Sequence, residues 1–192
     1  MFRWKVTDEI ELQLIEQRHA EALFTLTDAN RRYLRQWLPW VDSTRSVADT
    51  AAFISSSLQQ FAGNRGFNAG IWHQGLLCGV IGHYEMSPAN RATSLGYWLA
   101  ADRQGKGIVT ACCRAVVEHA FAEMKLHRIV IRCAVGNHRS RAIPERLGFS
   151  CEGVARQAEW LYDHFEDIAV YALLQTDAKS GPATQSALPG HG

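Results

Sequence analysis

Asn137-His138-Arg139-Ser140-Arg141-Ala142-Ile143-Pro144-Glu145-Arg146-Leu147-Gly148-Phe149 is the stretch on which the fold turns. It is read together with Gln104-Gly105-Lys106-Gly107-Ile108-Val109-Thr110, one strand earlier. The first begins with an Asn suited to cap a helix and closes on a Gly suited to the left-handed residue that ends one. Pro144 belongs near the first turn of that helix, because a deeper proline loses a hydrogen bond and clashes with the turn before it. If Asn137 opens the helix, its start is irregular. The second stretch joins a strand to a long helix. Helix N-termini leave backbone N–H groups unpaired and carry the positive dipole end, so they bind anions. Glycines let a pyrophosphate approach the backbone, and Lys106 adds charge. A tight strand-to-helix turn would use the same glycines.

Working outward, residues 66–72 and 76–85 read as strands flanking His73-Gln74-Gly75, a hairpin signal. Ser87-Pro88-Ala89-Asn90-Arg91 is a second turn, and 93–100 completes a three-strand meander. The helix after the glycines runs over about 107–125, with Thr110, Arg114 and Glu118 as its polar stripe and Cys112, Cys113, Val116, Ala120 and Met124 on a broad apolar face. Residues 127–135 form a β-branched strand. Two more strands, near 154–162 and 165–174, are separated by Asp163-His164. At the other end, 9–16 alternates as a strand. A helix over 17–38 is stopped by Pro39. A second amphipathic helix over 47–61 presents Val47, Ala51, Ile54, Leu58 and Phe61. Helices set between strands predict an α/β (α+β) domain with a mixed sheet. The stretch 176–192 is poor in large apolar residues and reads as a disordered tail beyond a domain spanning 1–175.

The 192 residues suggest one domain, and 47% hydrophobic content is enough for a substantial core. A net charge of +1 gives no reason to expect direct nucleic-acid or membrane binding, and no apolar run approaches a membrane span. Met1-Phe2-Arg3-Trp4-Lys5 leads into charged sequence, unlike a signal core. The five cysteines are odd in number and lack C-x-x-C spacing, so a disulfide framework or zinc site is not expected. All five read as buried, reduced thiols, which suits a cytoplasmic protein. The eight histidines have no ligand spacing, and no metal is expected.

The glycine loop is not a dinucleotide fingerprint, for which residues 108–111 offer no third glycine and the strand at 127–135 no acid. Nor does it contain G-x-x-x-x-G-K-S/T. The two quoted stretches, with Glu152-Gly153 and Gly96-Tyr97-Trp98, resemble the GNAT superfamily of N-acetyltransferases over roughly residues 9–174. Asn-x-x-Ser before a short helix ending in Gly-Phe matches that family's second cofactor motif. Trp37-Leu38-Pro39-Trp40 and Gln157-Ala158-Glu159-Trp160-Leu161 look closest to the RimJ/RimL branch, and within it to the RimL type that acetylates a ribosomal-protein serine. The family loop usually has Gln or Arg three residues before its first glycine; Asp102 stands there, with Arg103 or Gln104 as substitutes.

The resemblance implies a GNAT fold, a mostly antiparallel twisted sheet of about seven strands flanked by about four helices. It implies acetyl-CoA as cosubstrate, direct attack by an amine, and a possible homodimer, to which Trp37 and Trp40 could contribute. Gln104, Gly105, Lys106, Gly107, Ile108 and Thr110 would hold the pyrophosphate, and Leu99 would offer an oxyanion donor from its backbone. Asn137 would contact the pantetheine arm, or simply cap its helix. Ser140 would protonate the departing thiolate. Glu159, on a strand face shared with Gln157 and Leu161, would be the general base, with Glu85 as fallback. Arg141, more than Arg139 or Arg146, would meet the adenosine phosphates. Tyr97 is undecided between core and site, and Trp98 reads as core. The acceptor is expected to be a protein N-terminal amine, with a polyamine or antibiotic amine as the alternative. A non-catalytic acyl-CoA sensor is a third reading, since fold alone does not decide function.

Overall fold

The computed structural model describes residues 3–180. The chain opens with β1 (Arg3–Lys5) and β2 (Ile10–Leu14), followed by a 3-10 turn at Gln17–His19. Helices α1 (Ala20–Ala29) and α2 (Arg31–Leu34) precede a second 3-10 turn at Val41–Ser43 and α3 (Val47–Ala62). The meander is β3 (Asn68–His73), β4 (Leu76–Ser87) and β5 (Ala92–Leu99). A 3-10 turn at Ala101–Arg103 leads to α4 (Ile108–Ala122), β6 (Arg128–Ala134) and α5 (His138–Arg146). The domain closes with β7 (Ser150–Leu161), β8 (His164–Leu174) and α6 (Gln175–Ser180).

One sheet joins the strands in the order β1-β2-β3-β4-β5-β6-β8-β7. Its ladders are antiparallel except β5–β6, which is parallel and pairs only Ala92–Ser94 with Arg128–Val130. Parallel neighbours need a crossover, and α4 supplies it. Neighbouring residues of a strand point to opposite faces, so Ile81 and Val80 of β4 enter different cores. Ile81 joins Leu95, Ile129, Ile131 and the α4 residues Cys112, Cys113 and Val116. Val80 joins Leu23 of α1 and Ile54 of α3. The sheet is therefore sandwiched between α4 and α5 on one face and α1 and α3 on the other.

Several expectations need correction. There are eight strands and six α-helices among the described residues, against about seven and four; β1 is too short for alternation to show. The helix expected over 17–38 is broken at Asn30, well before Pro39. The side chain of Asn30 donates from Nδ2 to the Leu26 carbonyl at 2.9 Å and accepts the Ala101 amide on Oδ1 at 2.9 Å. That second bond draws the helix break to the loop before α4. Helix α3 buries Thr50, Ile54 and Ser57, while Val47 and Phe61 are 39% and 43% exposed. Ser57 takes part because its hydroxyl accepts from Asn68 Nδ2 at 3.1 Å, so a polar residue occupies a stripe that hydrophobicity alone assigns elsewhere. Cys151 is exposed, unlike the other cysteines, on β7, whose side chains are uncovered along most of its length. Of the expected tail, residues 176–180 belong to α6, and 181–192 lie outside the described residues. No helix among the described residues is long and apolar enough to cross a membrane.

His83 is fully buried on β4, edge-on to the Phe67 ring at 5.2 Å, and neither ring nitrogen has a hydrogen-bond partner. Burial, with His119 nearby, drives its pKa down to about 4. A depressed histidine takes up its proton more readily in the unfolded chain. Its contribution to stability is complete above the unfolded value and is lost as pH falls toward the folded one. Chemical unfolding should show stability falling below about pH 6.5 by up to ~1.4 kcal/mol per pH unit from this residue, with the slope reduced in His83→Phe. Gly79 offers a second check. A Cβ there would sit 2.3 Å from the Trp98 carbonyl oxygen and 3.0 Å from Leu99 Cα, both backbone atoms of β5. Gly79→Ala should lower unfolding stability by about 1–3 kcal/mol.

Candidate active site

Beyond Ser94 and Val130, β5 and β6 part. Tyr97 and Trp98 on one side and Arg132 and Cys133 on the other line a cavity of about 810 Å³. The Ala100 amide donates to Cys78 of β4 at 2.8 Å. Successive amides on a strand point to opposite edges, so the Leu99 N–H faces the gap. Leu99 therefore stands where an oxyanion donor was expected.

A second cavity, on the α4 side of the parting, is lined by Gln104, Gly105, Lys106, Gly107, Ile108 and Thr110. Gly105 and Gly107 both have φ of +73°, and a Cβ on either would meet nothing within 4 Å. Left-handed backbone, not crowding, explains these glycines. Gly107 caps α4 without a side-chain bond, and the first helical bond runs from the Ala111 amide to the Gly107 carbonyl. The preceding amides have no helical acceptor, an arrangement that can bind an anion at the positive end of the helix. Gln104 accepts from Arg139 Nη1 at 2.6 Å, tying the loop to α5. Arg103 instead lies against Asp102 and His73.

Asn137 caps α5, its Oδ1 accepting the Ser140 amide at 3.1 Å, and it also lines both cavities. Pro144 does not lie in the first turn as expected; it sits in the last turn of α5. The carbonyl four residues back, that of Ser140, accepts from the Tyr97 hydroxyl at 3.1 Å. Ser140 Oγ lies 3.4 Å from Tyr97 Oη and 3.2 Å from Cys133 Sγ. Burial pushes the Tyr97 phenol and the Cys133 thiol above their ordinary pKa values, so both keep their protons near neutral pH.

Arg141 is not on the cradle wall. Its Nε donates to Tyr171 Oη at 2.9 Å and its Nη1 to the Val135 carbonyl at 3.0 Å, while Tyr171 donates to Glu145 at 2.7 Å. This network ties α5 to β8. Arg139, Ile143 and Arg146 line the cradle instead, as helical spacing at i, i+4 and i+7 places them on one face and Arg141 on another.

Glu159 and Glu85 share the wall of the first cavity. The strict alternation expected around Glu159 fails. The β7–β8 register jumps between Ala155 and Glu159, and Gln157 has φ of +49° with its amide donating to Asp167 Oδ1 at 2.7 Å. This bulge re-aims the strand. Glu159 is half-buried; burial raises its pKa, Arg132 pulls it down and Glu166 raises it further. Glu85 sits at another irregularity with φ of +53°, and its Oε2 accepts from Ser94 Oγ at 2.8 Å. Trp37, Leu38, Pro39 and Trp40 wall the same cavity. The Leu38 carbonyl accepts from Tyr162 Oη at 2.6 Å, and the Trp40 and Trp98 rings lie 6.2 Å apart. Trp98 is thus cavity wall as well as packing.

The two cavities share Trp37, Leu38, Tyr97, Trp98, Asn137 and Ser140. The glycine-loop cavity and the acid-lined cavity meet at the hydroxyls of Tyr97 and Ser140. Such a junction can hold a phosphate-bearing donor on one side, admit a nucleophile from the other, and exchange protons between them. Tyr97, Cys133 and Arg132 were not assigned a role from sequence. Cys133 and Ser140 come together only through the turn between β6 and α5, and no local pattern announces that.

Residues 9–150 match the family model described as acetyltransferase (GNAT) domain. The chain is 39% identical over 179 residues to the protein YdaF of Bacillus subtilis (strain 168), covering 92% of this chain and 97% of that one. It is 32% identical over 170 residues to the ribosomal-protein-serine acetyltransferase of Escherichia coli (strain K12), covering 88% and 95%. Among solved structures, RimL, a ribosomal L7/L12 alpha-N-protein acetyltransferase in complex with coenzyme A, superposes with a TM-score of 0.89 at 29% identity, covering 92% of this chain and 99% of that one. The microcin C7 self-immunity acetyltransferase MccE, in complex with acetyl-CoA and AMP, gives 0.85 at 30% identity, covering 88% and 94%.

A side chain at Gly107 would strain the left-handed residue that presents the cradle amides. Gly107→Ala should weaken coenzyme A binding by about tenfold, ~1.4 kcal/mol, measured by titration calorimetry. Arg141→Ala should change that affinity by less than about twofold while lowering the melting temperature, since its bonds are to β8 and the β6–α5 turn.

Proposed function

The chain belongs to the GNAT acetyltransferase family, and from that premise we propose that this N-acetyltransferase moves acetyl from acetyl-CoA to the α-amino group of a protein N-terminus, with Glu159 as general base and Ser140 as general acid. The observation that carries the reading is the junction. The cradle and the Glu159 cavity open on opposite sides of the β5–β6 parting and meet at Tyr97 and Ser140, with Leu99 on the cradle side.

The cradle suits a pyrophosphate. Its glycines leave open space, its amides lack helical acceptors, and Lys106, Arg139 and Arg146 supply positive charge. Bound acetyl-CoA supplies the thioester that the amine attacks. Glu159, directly or through a water, takes the ammonium proton; an α-amine titrates near about 7.7–8.0, so a modest base suffices. The Leu99 amide donates to the oxygen that gains negative charge. Ser140 gives its proton to the departing sulfur and regains one from the second nitrogen proton lost as the amide forms.

A peptide acceptor fits the wide aromatic mouth formed by Trp40, Trp98 and Phe53. The Escherichia coli relative is named for acetylating a ribosomal-protein serine, and a ribosomal protein is the first acceptor to test. Thiol release with acetyl-CoA should be fastest with a serine-start ribosomal stalk peptide. Faster release with spermidine or an aminoglycoside would overturn the peptide assignment. Cofactor binding without transfer to any of these amines would favour the sensor reading.

Glu159→Gln should lower kcat by about 100-fold or more with acetyl-CoA affinity unchanged. The working form of Glu159 is deprotonated, so activity is lost as pH falls through its raised pKa. The acidic limb should lie above the ordinary carboxylate range and disappear in Glu159→Gln. The raised pKa also means that the folded state holds this proton more tightly than the unfolded chain. The carboxylate therefore opposes folding above the unfolded pKa, with the full effect above the folded value. Glu159→Gln should be at least as stable as the parent at neutral pH, separating a chemical role from a structural one.

A further inference from the structure

In an α-helix the amide of residue i serves the carbonyl of residue i−4. At Pro144 that amide is missing, and the carbonyl it would have served belongs to Ser140. A buried carbonyl without a donor is costly, and here the donor comes from another element: Tyr97 Oη of β5, at 3.1 Å. The phenol has a single proton. With that proton committed to the carbonyl, its oxygen is left to accept from Ser140 Oγ at 3.4 Å, a long contact that the hydroxyl can leave to turn its proton toward the sulfur. Cys133 of β6 holds the same hydroxyl from the other side at 3.2 Å. Ser140 is therefore gripped by both parting strands, and its main chain and side chain are both tied to one phenol.

We propose that Tyr97 is a positioning residue for Ser140, recruited by the amide that Pro144 lacks. It fixes the first turn of α5 against β5 and holds the serine hydroxyl at the junction of the two cavities. Without it, Ser140 loses a bond at its carbonyl and a bond at its hydroxyl in one step. The proline, which by itself weakens a helix, here directs a functional side chain. This inference rests on Ser140 being the acid proposed above.

The experiment is a pair of double-mutant cycles on the full chain. In the first, kcat and KM are measured for Tyr97→Phe, Ser140→Ala and the double variant. Tyr97→Phe should lower kcat by about tenfold, the worth of one ordinary hydrogen bond, with KM for acetyl-CoA within about twofold of the parent. In the Ser140→Ala background the same change should cost nothing further, because the tyrosine acts through the serine. A general packing defect would cost the same in both backgrounds, and that result would overturn the proposal. In the second cycle, melting temperatures are compared for Tyr97→Phe with and without Pro144→Ala, which restores an amide donor to the Ser140 carbonyl. The tyrosine change should cost less when alanine stands at 144, and an equal cost would refute the link to the proline. If Ser140→Ala alone keeps parental kcat, the acid assignment falls and this inference with it. If Ser140→Ala is slow and Tyr97→Phe runs at the parental rate, only this inference falls.

Discussion

Three residue pairs, Ala92–Ser94 against Arg128–Val130, are the whole of the parallel ladder between β5 and β6. The molecule is organised around where that ladder stops. If the two strands ran together to their ends, the Leu99 amide would have a partner and the two cavities would have no junction. Because they part, backbone donors that a sheet normally consumes are left pointing into space. The aromatic and cysteine side chains nearby become walls as well as core. The parting needs support from both sides. α4 crosses from one strand to the other and presents its N-terminus to the opening. α5 closes the far side, tied to β8 through Arg141, Tyr171 and Glu145.

Parts of this arrangement were legible in the sequence. The glycine loop before a long apolar helix, the turn signals of the meander and the Asn-to-Gly frame of α5 each have a local cause, and local causes leave local patterns. The parts that were not legible depend on partners distant in sequence. Asn30 interrupts a helix because Ala101 needs an acceptor, and nothing near residue 30 says so. Ser57 takes a buried position on α3 because Asn68 reaches it. Arg141 was expected at the cradle because it stands inside the motif, yet helical geometry turns it toward Tyr171. Its neighbours Arg139 and Arg146 would have been the better choice on spacing alone. The bulge at Gln157 hides in the same way, because its amide is held by Asp167 on the next strand.

Pro144 is the clearest such case. Steric rules place a proline in the first turn of a helix. This one occurs near the end, and the rule is broken where another element supplies the missing donor. Asn137 shows the converse. The capping role that composition suggests is present in full, and the residue still lines both cavities, so the two readings of it do not compete.

The shared wall between the cavities has a consequence for how such a protein can diversify. Just over half of the glycine-loop cavity's lining comes from two short runs of chain, 104–110 and 137–146. The outer parts of the Glu159 cavity come from scattered places outside that lining: Pro39 and Trp40, the α3 surface at Phe53, the bulged strand at Glu159. Substitutions in those outlying segments can reshape what enters from one side without disturbing what is held on the other. A lineage built on this frame is free to exchange one acceptor for another by small steps while its donor chemistry stays fixed.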